Sequence, residues 1–379
     1  MDLENSWQIY SDKFFNESKT VVVKIGSALL IDDSNGDINK SWLSCLAEDI
    51  SNLKDKGKKV IIVSSGAVAL GKKIFHSDSE KLDLEQSQAA AAVGQIKLCQ
   101  AYQEYFDPLG IKTAQILVTS EDSQNRRRYL NSKATITRLL ELNVVPIVNE
   151  NDTVATDEIR FGDNDRLAAQ VASLVGAEIL VLLSDIDGIY SADPKLEKMS
   201  RHIPIVDEVN EAIVSLAGET FSNIAKGGMR TKVEAAQIAS LAGCATVIAK
   251  GDLSYPISGI VNGGKVSWFL ASRNPENARK QWINSIKIKG SVFIDEGAEK
   301  AIESGSSLLP AGITKFFGRF ARGDIVEIIN TDGKKVGKGI SSYNSEELEK
   351  IKGCSREKIS IKLGHVARSA FIHRDDMVL

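Results

Sequence analysis

A chain of 379 residues is longer than most single cores and fits two domains, while a formal net charge of -3 argues against general polyanion binding, so any anionic substrate must be held by local lysines. Cys45, Cys99, Cys244 and Cys354 stand far apart in no metal or redox spacing, which reads as reduced, mostly buried thiols of a cytoplasmic protein. The polar, acidic stretch from Met1 to Thr20 has no apolar signal core, and no run approaches the roughly 18 apolar residues of a membrane span.

Thr20 to Ile25 is predicted as a strand stopping at Gly26-Ser27, and Lys24 near its carboxyl end can reach a phosphate. Trp42, Leu43, Leu46, Ile50 and Leu53 recur at helical spacing, with Gly57 closing that helix. A second strand, Val60 to Val63, runs into Ser64-Ser65-Gly66-Ala67. That small-residue turn suits either an anion held on free backbone N–H groups or plain close packing of strand and helix. Leu84 to Phe106 reads as a helix whose alanines, Ala89 to Ala92, admit a close neighbour, and Pro108-Leu109-Gly110 ends it. Thr113 to Val118 is a further strand. It precedes a helix with Leu130, Ile136, Leu139 and Leu140 on its apolar face and a solvated Arg126-Arg127-Arg128 at its start.

Val144, Val145, Ile147 and Val148 predict a buried strand that delivers Asn149-Glu150-Asn151-Asp152, and a short excursion later comes Gly162-Asp163-Asn164-Asp165. Parallel α/β sheets place ligands beyond the carboxyl ends of their strands, so two such runs read as a site and not as Asx-rich turns. Leu167 to Val175 continues as a helix ended by Gly176, and the apolar Ile179 to Leu183 is a strand finishing at Ser184-Asp185. Gly227-Gly228-Met229-Arg230-Thr231-Lys232 then opens a helix predicted over Val233 to Leu241. Backbone donors, helix dipole and a lysine together make a plausible phosphate cradle there. Thr246 to Ala249 is expected to be the last core strand.

The repeat of strand and helix implies an α/β fold, a mostly parallel sheet sandwiched by helices. Ala271 to Lys280 reads as a linker, followed by a small β-rich domain with strands at Ser285 to Lys289, Asp324 to Ile329 and Lys358 to Leu363. Two motifs are decoys. Gly259 to Lys265 has P-loop spacing, but Val266 stands where a Ser or Thr would hold magnesium, so it reads as a turn. His373-Arg374-Asp375 imitates a kinase catalytic loop without room for its partner asparagine.

Val23-Lys24-Ile25-Gly26-Ser27, Ser64-Ser65-Gly66-Ala67, the two acidic runs and Gly227 to Lys232 resemble the amino-acid kinase family, most of all its glutamate-phosphorylating branch. Asp295-Glu296-Gly297-Ala298, Gly305 to Ile313 and His373 to Asp376 are similar to the PUA domain. The resemblance implies a kinase domain over residues 18–272 and a PUA domain over 281–379, with a chain ended near Ser272 keeping the chemistry. It implies transfer from ATP, with Mg2+ carried by the nucleotide and no protein metal site, to the γ-carboxylate of L-glutamate. The product is L-glutamyl 5-phosphate, the first step of proline biosynthesis. Lys24 and Lys232 match the lysines that bind the transferring phosphoryl, with Asp165 orienting them. Ser65, Asp152 and Asn164 match positions that hold glutamate. Ser184, Asp185, Lys226, Gly227, Gly228, Met229, Arg230, Thr231 and Lys232 match the ATP site, although Lys226 and Arg230 depart from the smaller residues usual there. The family further implies proline as feedback inhibitor, a homo-oligomer (dimer or tetramer) and hand-over to the glutamyl phosphate reductase. The alternatives are another carboxylate or nucleotide kinase of the family, or an RNA-binding PUA protein with a vestigial kinase domain. The acidic overall charge speaks against the RNA reading.

Overall fold

The β-branched runs form strands in the computed structural model, which describes residues 6–32, 34–75, 82–119, 122, 125–154, 164–194, 196–197, 199–217, 228–271, 274–364 and 369–379. Two compact units result, one of residues 1–124 and 131–275 and one of residues 125–130 and 276–379. The first holds an eight-stranded sheet: β1 Thr20–Ile25, β2 Lys59–Ser64, β3 Thr113–Val118, β4 Val145–Glu150, β5 Ile179–Ser184, β6 Ile205–Val206, β7 Ala245–Lys250 and β8 Val266–Phe269. Their order across the sheet is β6-β8-β7-β5-β1-β2-β4-β3. All neighbours run parallel except β7 and β8. The segment around Thr246 is therefore not the last core strand, because Val266–Phe269 adds an antiparallel one beyond it, every residue buried.

β1 sits between β2 and β5, with Lys24 level with Val63 and Leu182. Strand alternation sends Val21, Val23 and Ile25 into one cluster with Leu43, Leu46 and Ile50 of helix α2 (Lys40–Asp55). Lys24, with the opposite parity, reaches helix α3 (Asp165–Val175), which packs on β1 and on helix α4 (Met229–Leu241). Helix α4 begins four residues earlier than its apolar spacing indicates, because Gly228, extended at φ -112°, takes the N-cap position. Helix α1 (Ser6–Glu17) precedes the sheet and was not expected from its polar composition. Phe15 is buried, and Ser11 accepts a hydrogen bond from Trp268 Nε1 at 3.0 Å.

The turn after β2 supports the packing reading of its small residues. Gly66 adopts φ +109° and opens a short helix, Ala67–Gly71, which lies against the long helix Leu84–Phe106. A methyl group added to Gly94 would come within 1.8 Å of the Ala67 carbonyl oxygen, and one on Gly71 within 1.8 Å of that of Ala90. Ala90 and Ala91 are buried, so the alanine-rich start does admit a close neighbour.

The second unit has a five-stranded sheet in the order Ile313–Phe317, Gly290–Ile294, Ile325–Ile329, Lys335–Ile340, Met377–Val378. Ser285 to Lys289 is not a strand: Ser285 ends a helix, 286–289 form a connection, and the strand runs over Gly290–Ile294. Lys358 to Leu363 is not a strand but lies in a helix, Arg356–Leu363. Ile359, Ile361 and Leu363 alternate, yet Ile361 is 82% exposed, while Ile359 and Leu363, four apart, join the apolar cluster. The stretch read as a linker likewise contains a helix, Pro275–Ser285, with Ala278 and Ile283 buried. Leu130 belongs to this unit, buried with Ile283, Ile325 and Ile340. Cys45, Cys99, Cys244 and Cys354 are all free thiols, the last two buried and the first two half-buried. Among the described residues no helix is long and apolar enough to cross a membrane.

Gly94→Ala or Gly71→Ala should cost about 3 kcal/mol, because the added carbon meets backbone that cannot swing aside. Gly259→Ala, whose methyl would find nothing within 4 Å inside its helix, should be neutral or slightly stabilising. Urea unfolding of the three variants checks the contrast.

Candidate active site

Lys24 leaves β1 one residue before the strand ends, and Lys232 stands one turn into α4. Both reach Asp165 in the first turn of α3. Lys24 Nζ lies 2.5 Å from Asp165 Oδ1 and Lys232 Nζ 3.0 Å from Oδ2. The three are buried, Asp165 completely. Thr231 Oγ1 is 3.1 Å from Asp165 Oδ2 and 2.8 Å from the Gly228 carbonyl. Burial, the largest influence, pushes the Asp165 carboxyl upward, but the charges and hydrogen bonds of the two lysines outweigh it and hold its pKa at about 2. Two ammonium groups meet one carboxylate at the starts of two helices, where backbone N–H groups favour an anion.

Asn164 occupies the N-cap position of α3, yet its side chain does not cap the helix. Instead Nδ2 donates to the Ser64 carbonyl at 2.7 Å and to Asn149 Oδ1 at 2.8 Å. Asn149 Oδ1 also takes the Glu150 N–H at 2.9 Å, and Asn149 Nδ2 donates to Gln95 Oε1 at 2.8 Å. Tyr102 donates to Ser64 Oγ at 2.9 Å, and burial pushes its hydroxyl well above the usual range, which keeps it a donor. Ser65, half-buried, follows at the turn, its N–H on the Ile25 carbonyl at 3.2 Å.

Of the residues expected at the site, the structure thus brings together Lys24, Asp165, Lys232, Thr231 and Gly228, with Asn164 next to them in the chain. Ser184 is buried at the end of β5, its Oγ 3.1 Å from Oδ1 of the exposed Asp185. Asp152 is half-buried in the turn after β4, and Met229 half-buried at the start of α4. Arg230 is exposed and pairs with Glu234 one turn along at 3.2 Å, apart from the buried cluster. Lys226, Gly227, Gly162 and Asp163 lie outside the described residues. Sequence reasoning treated the helix Leu84–Phe106 as packing alone and missed Gln95, a buried polar side chain beside a tightly packed glycine.

A model described as the amino acid kinase family matches residues 19–250, and a PUA domain model matches residues 290–363. Over 362 residues the chain is 51% identical to the glutamate 5-kinase of Ruegeria sp. (strain TM1040), an alignment covering 96% of this chain and 98% of that one. It is 50% identical over 362 residues to the glutamate 5-kinase of Paracoccus denitrificans (strain Pd 1222), covering 96% and 97%. Among solved structures, UMP kinase from Ureaplasma parvum is similar with a TM-score of 0.48 at 18% identity, covering 67% of this chain and 99% of that one.

Asp165→Asn would leave two buried ammonium groups without their anion and should cost about 3–5 kcal/mol of stability at neutral pH. The folded carboxyl titrates at about 2, below its ordinary 3.8, so its contribution is complete above about pH 4 and disappears as pH falls toward 2. The stability gap between wild type and variant should therefore narrow over that acid window in denaturant titrations.

Proposed function

This chain belongs to the amino acid kinase family, and we propose that it transfers the γ-phosphoryl group of ATP to the γ-carboxylate of L-glutamate, giving L-glutamyl 5-phosphate. The observation that carries the reading is the convergence of Lys24 and Lys232 on one buried carboxylate from the end of a central strand and the start of a helix.

The acceptor carboxylate has a reference pKa of about 4.3 and is ionised at neutral pH, so no general base is needed. Repulsion between two anions is the obstacle, and fixed cations on the transferred group lower it. Lys24 and Lys232 would bind the phosphoryl oxygens, while Asp165 keeps both ammonium groups aimed at one point before the nucleotide arrives. Gly228 and the first turn of α4 would add backbone donors, and Ser184 and Asp185 at the end of β5 would border the nucleotide. Ser65, Asp152 and Asn164 would hold the amino acid beside them. Both oxygens of Asp165 face lysines, and among the described residues no cluster of acidic, His or Cys side chains suits a metal. Mg2+ would arrive on the phosphates, where it would neutralise charge on their oxygens.

The same reading places the chain first in proline biosynthesis, in the cytoplasm, as a homo-oligomer inhibited by proline and handing its labile acyl phosphate to the reductase. Binding of RNA by the second unit is disfavoured. Arg319 pairs with Glu346 at 3.3 Å, Lys335 with Glu327 at 2.8 Å, and Lys338 donates to the Asn284 carbonyl at 2.8 Å.

Glutamate should drive ADP release far faster than N-acetylglutamate, aspartate or UMP; turnover of one of these with none of glutamate would overturn the assignment. In the same assay Lys24→Met and Lys232→Met should each lower kcat by about 10²–10³. Near-normal kcat in either folded variant would remove that lysine from the chemistry.

Every proposed ligand residue precedes Pro275, so a chain ended there should keep phosphoryl transfer. The cut removes Ile283, Ile325 and Ile340, which cover Leu130, so the truncated protein should aggregate more and Leu130→Ser should restore its solubility. Sedimentation and turnover measure both. A soluble, ATP-binding truncation that fails to turn over glutamate would assign the carboxyl-terminal unit a part in the reaction.

A further inference from the structure

We infer that Gln95 is a positioning residue that sets the polarity of the amino-acid pocket; the identity of that amino acid rests on the glutamate reading above. Two backbone groups determine which way the buried carboxamides face. A carbonyl can only accept, so the Ser64 oxygen, 2.7 Å away, requires the Nδ2 side of Asn164. An N–H can only donate, so that of Glu150, 2.9 Å away, requires the Oδ1 side of Asn149. Asn149 Oδ1 then accepts the second hydrogen of Asn164 Nδ2 at 2.8 Å.

Asn164 thereby commits both amide hydrogens to the protein, and only its oxygen is left for a ligand. An oxygen there accepts from an ammonium group and repels a carboxylate, so the arrangement selects which end of an amino acid approaches. Gln95 completes it. With Asn149 so oriented, its Nδ2 must find an acceptor in a site where Asn149 is 1% and Gln95 8% exposed, and Gln95 Oε1 supplies one at 2.8 Å. Gln95 Nε2 then turns to Cys99 Sγ at 3.4 Å, one turn along the same helix. Remove the Gln95 oxygen, and the Asn149 donor is left buried without an acceptor, which loosens the hold on Asn149 and, through their shared hydrogen bond, on Asn164. Gln95 stands beside Gly94, whose close approach to Ala67 brings this helix to the strand ends.

The test is steady-state kinetics of Gln95→Met, which keeps the unbranched shape without the acceptor, and Gln95→Glu, which restores an acceptor oxygen. Gln95→Met should raise the KM for glutamate about tenfold and leave that for ATP within about twofold, while Gln95→Glu stays within about threefold of wild type for both. The glutamate-induced rise in Tm should shrink in the Met variant alone, which supplies a second reading if its turnover is weak. Equal changes in both KM values, an unchanged KM for glutamate in the Met variant, or a Glu variant as impaired as Met would each overturn the role. Wild-type turnover is measured first: no reaction with glutamate defeats the substrate assignment, whereas normal wild-type turnover with an unaffected Met variant defeats the inference about Gln95 alone.

Discussion

Two lysine side chains cannot share a dry interior unless an anion lies between them, and the architecture around Asp165 follows from that requirement. Lys24 comes from the middle of an eight-stranded sheet, Lys232 from a helix start more than two hundred residues later, and the carboxylate from the first turn of a third element. The start of α3 adds its own favourable field for a negative side chain. Because both lysines grip the same carboxylate, β1, α3 and α4 are held in a single arrangement, and the point where their charges meet is the point where a phosphoryl group would be received. The cost of a buried charge cluster is thus met by the same geometry that a transfer between two anions requires.

A second, uncharged layer lies alongside. Asn164, Asn149, Gln95 and Ser64 satisfy one another at the ends of β2 and β4, so these buried polar groups are hydrogen-bonded and point in defined directions. Their alignment depends on packing that has nothing polar in it. Gly71 and Gly94 let the short and long helices approach until backbone nearly touches backbone, and that approach sets how far the Gln95 side chain must reach.

Much of this was legible. Apolar runs such as Ile179 to Leu183 and Val145 to Val148 announced buried strands, and helical spacing at Leu43, Leu46 and Ile50 announced the helix covering one face of β1. Errors came where a short pattern supports two periods. Ile359, Ile361 and Leu363 alternate like a strand, but the pair that packs is four residues apart and the middle one faces solvent. Pro275–Ser285 carries too few apolar residues to signal itself, and only tertiary cover buries Ala278 and Ile283. The helix Ser6–Glu17 looked like a polar terminus for the same reason, since its aromatic residues matter only once they meet Trp268.

The kinds of chemistry present could be read from the chain alone: a lysine near the end of a β-branched run, another after paired glycines at a helix start, and carboxylates and carboxamides beyond a buried strand. These signals are local, because strand and helix periods and turn residues act over a few positions. Folding alone settles which lysine meets which carboxylate oxygen, that Arg230 turns to Glu234 outside the buried cluster, and that a glutamine in an apparently structural helix accepts a hydrogen bond from an asparagine at the end of a sheet strand. Those pairings depend on strand order, register and helix approach, and such distances between segments far apart in the chain are written in no short stretch of it.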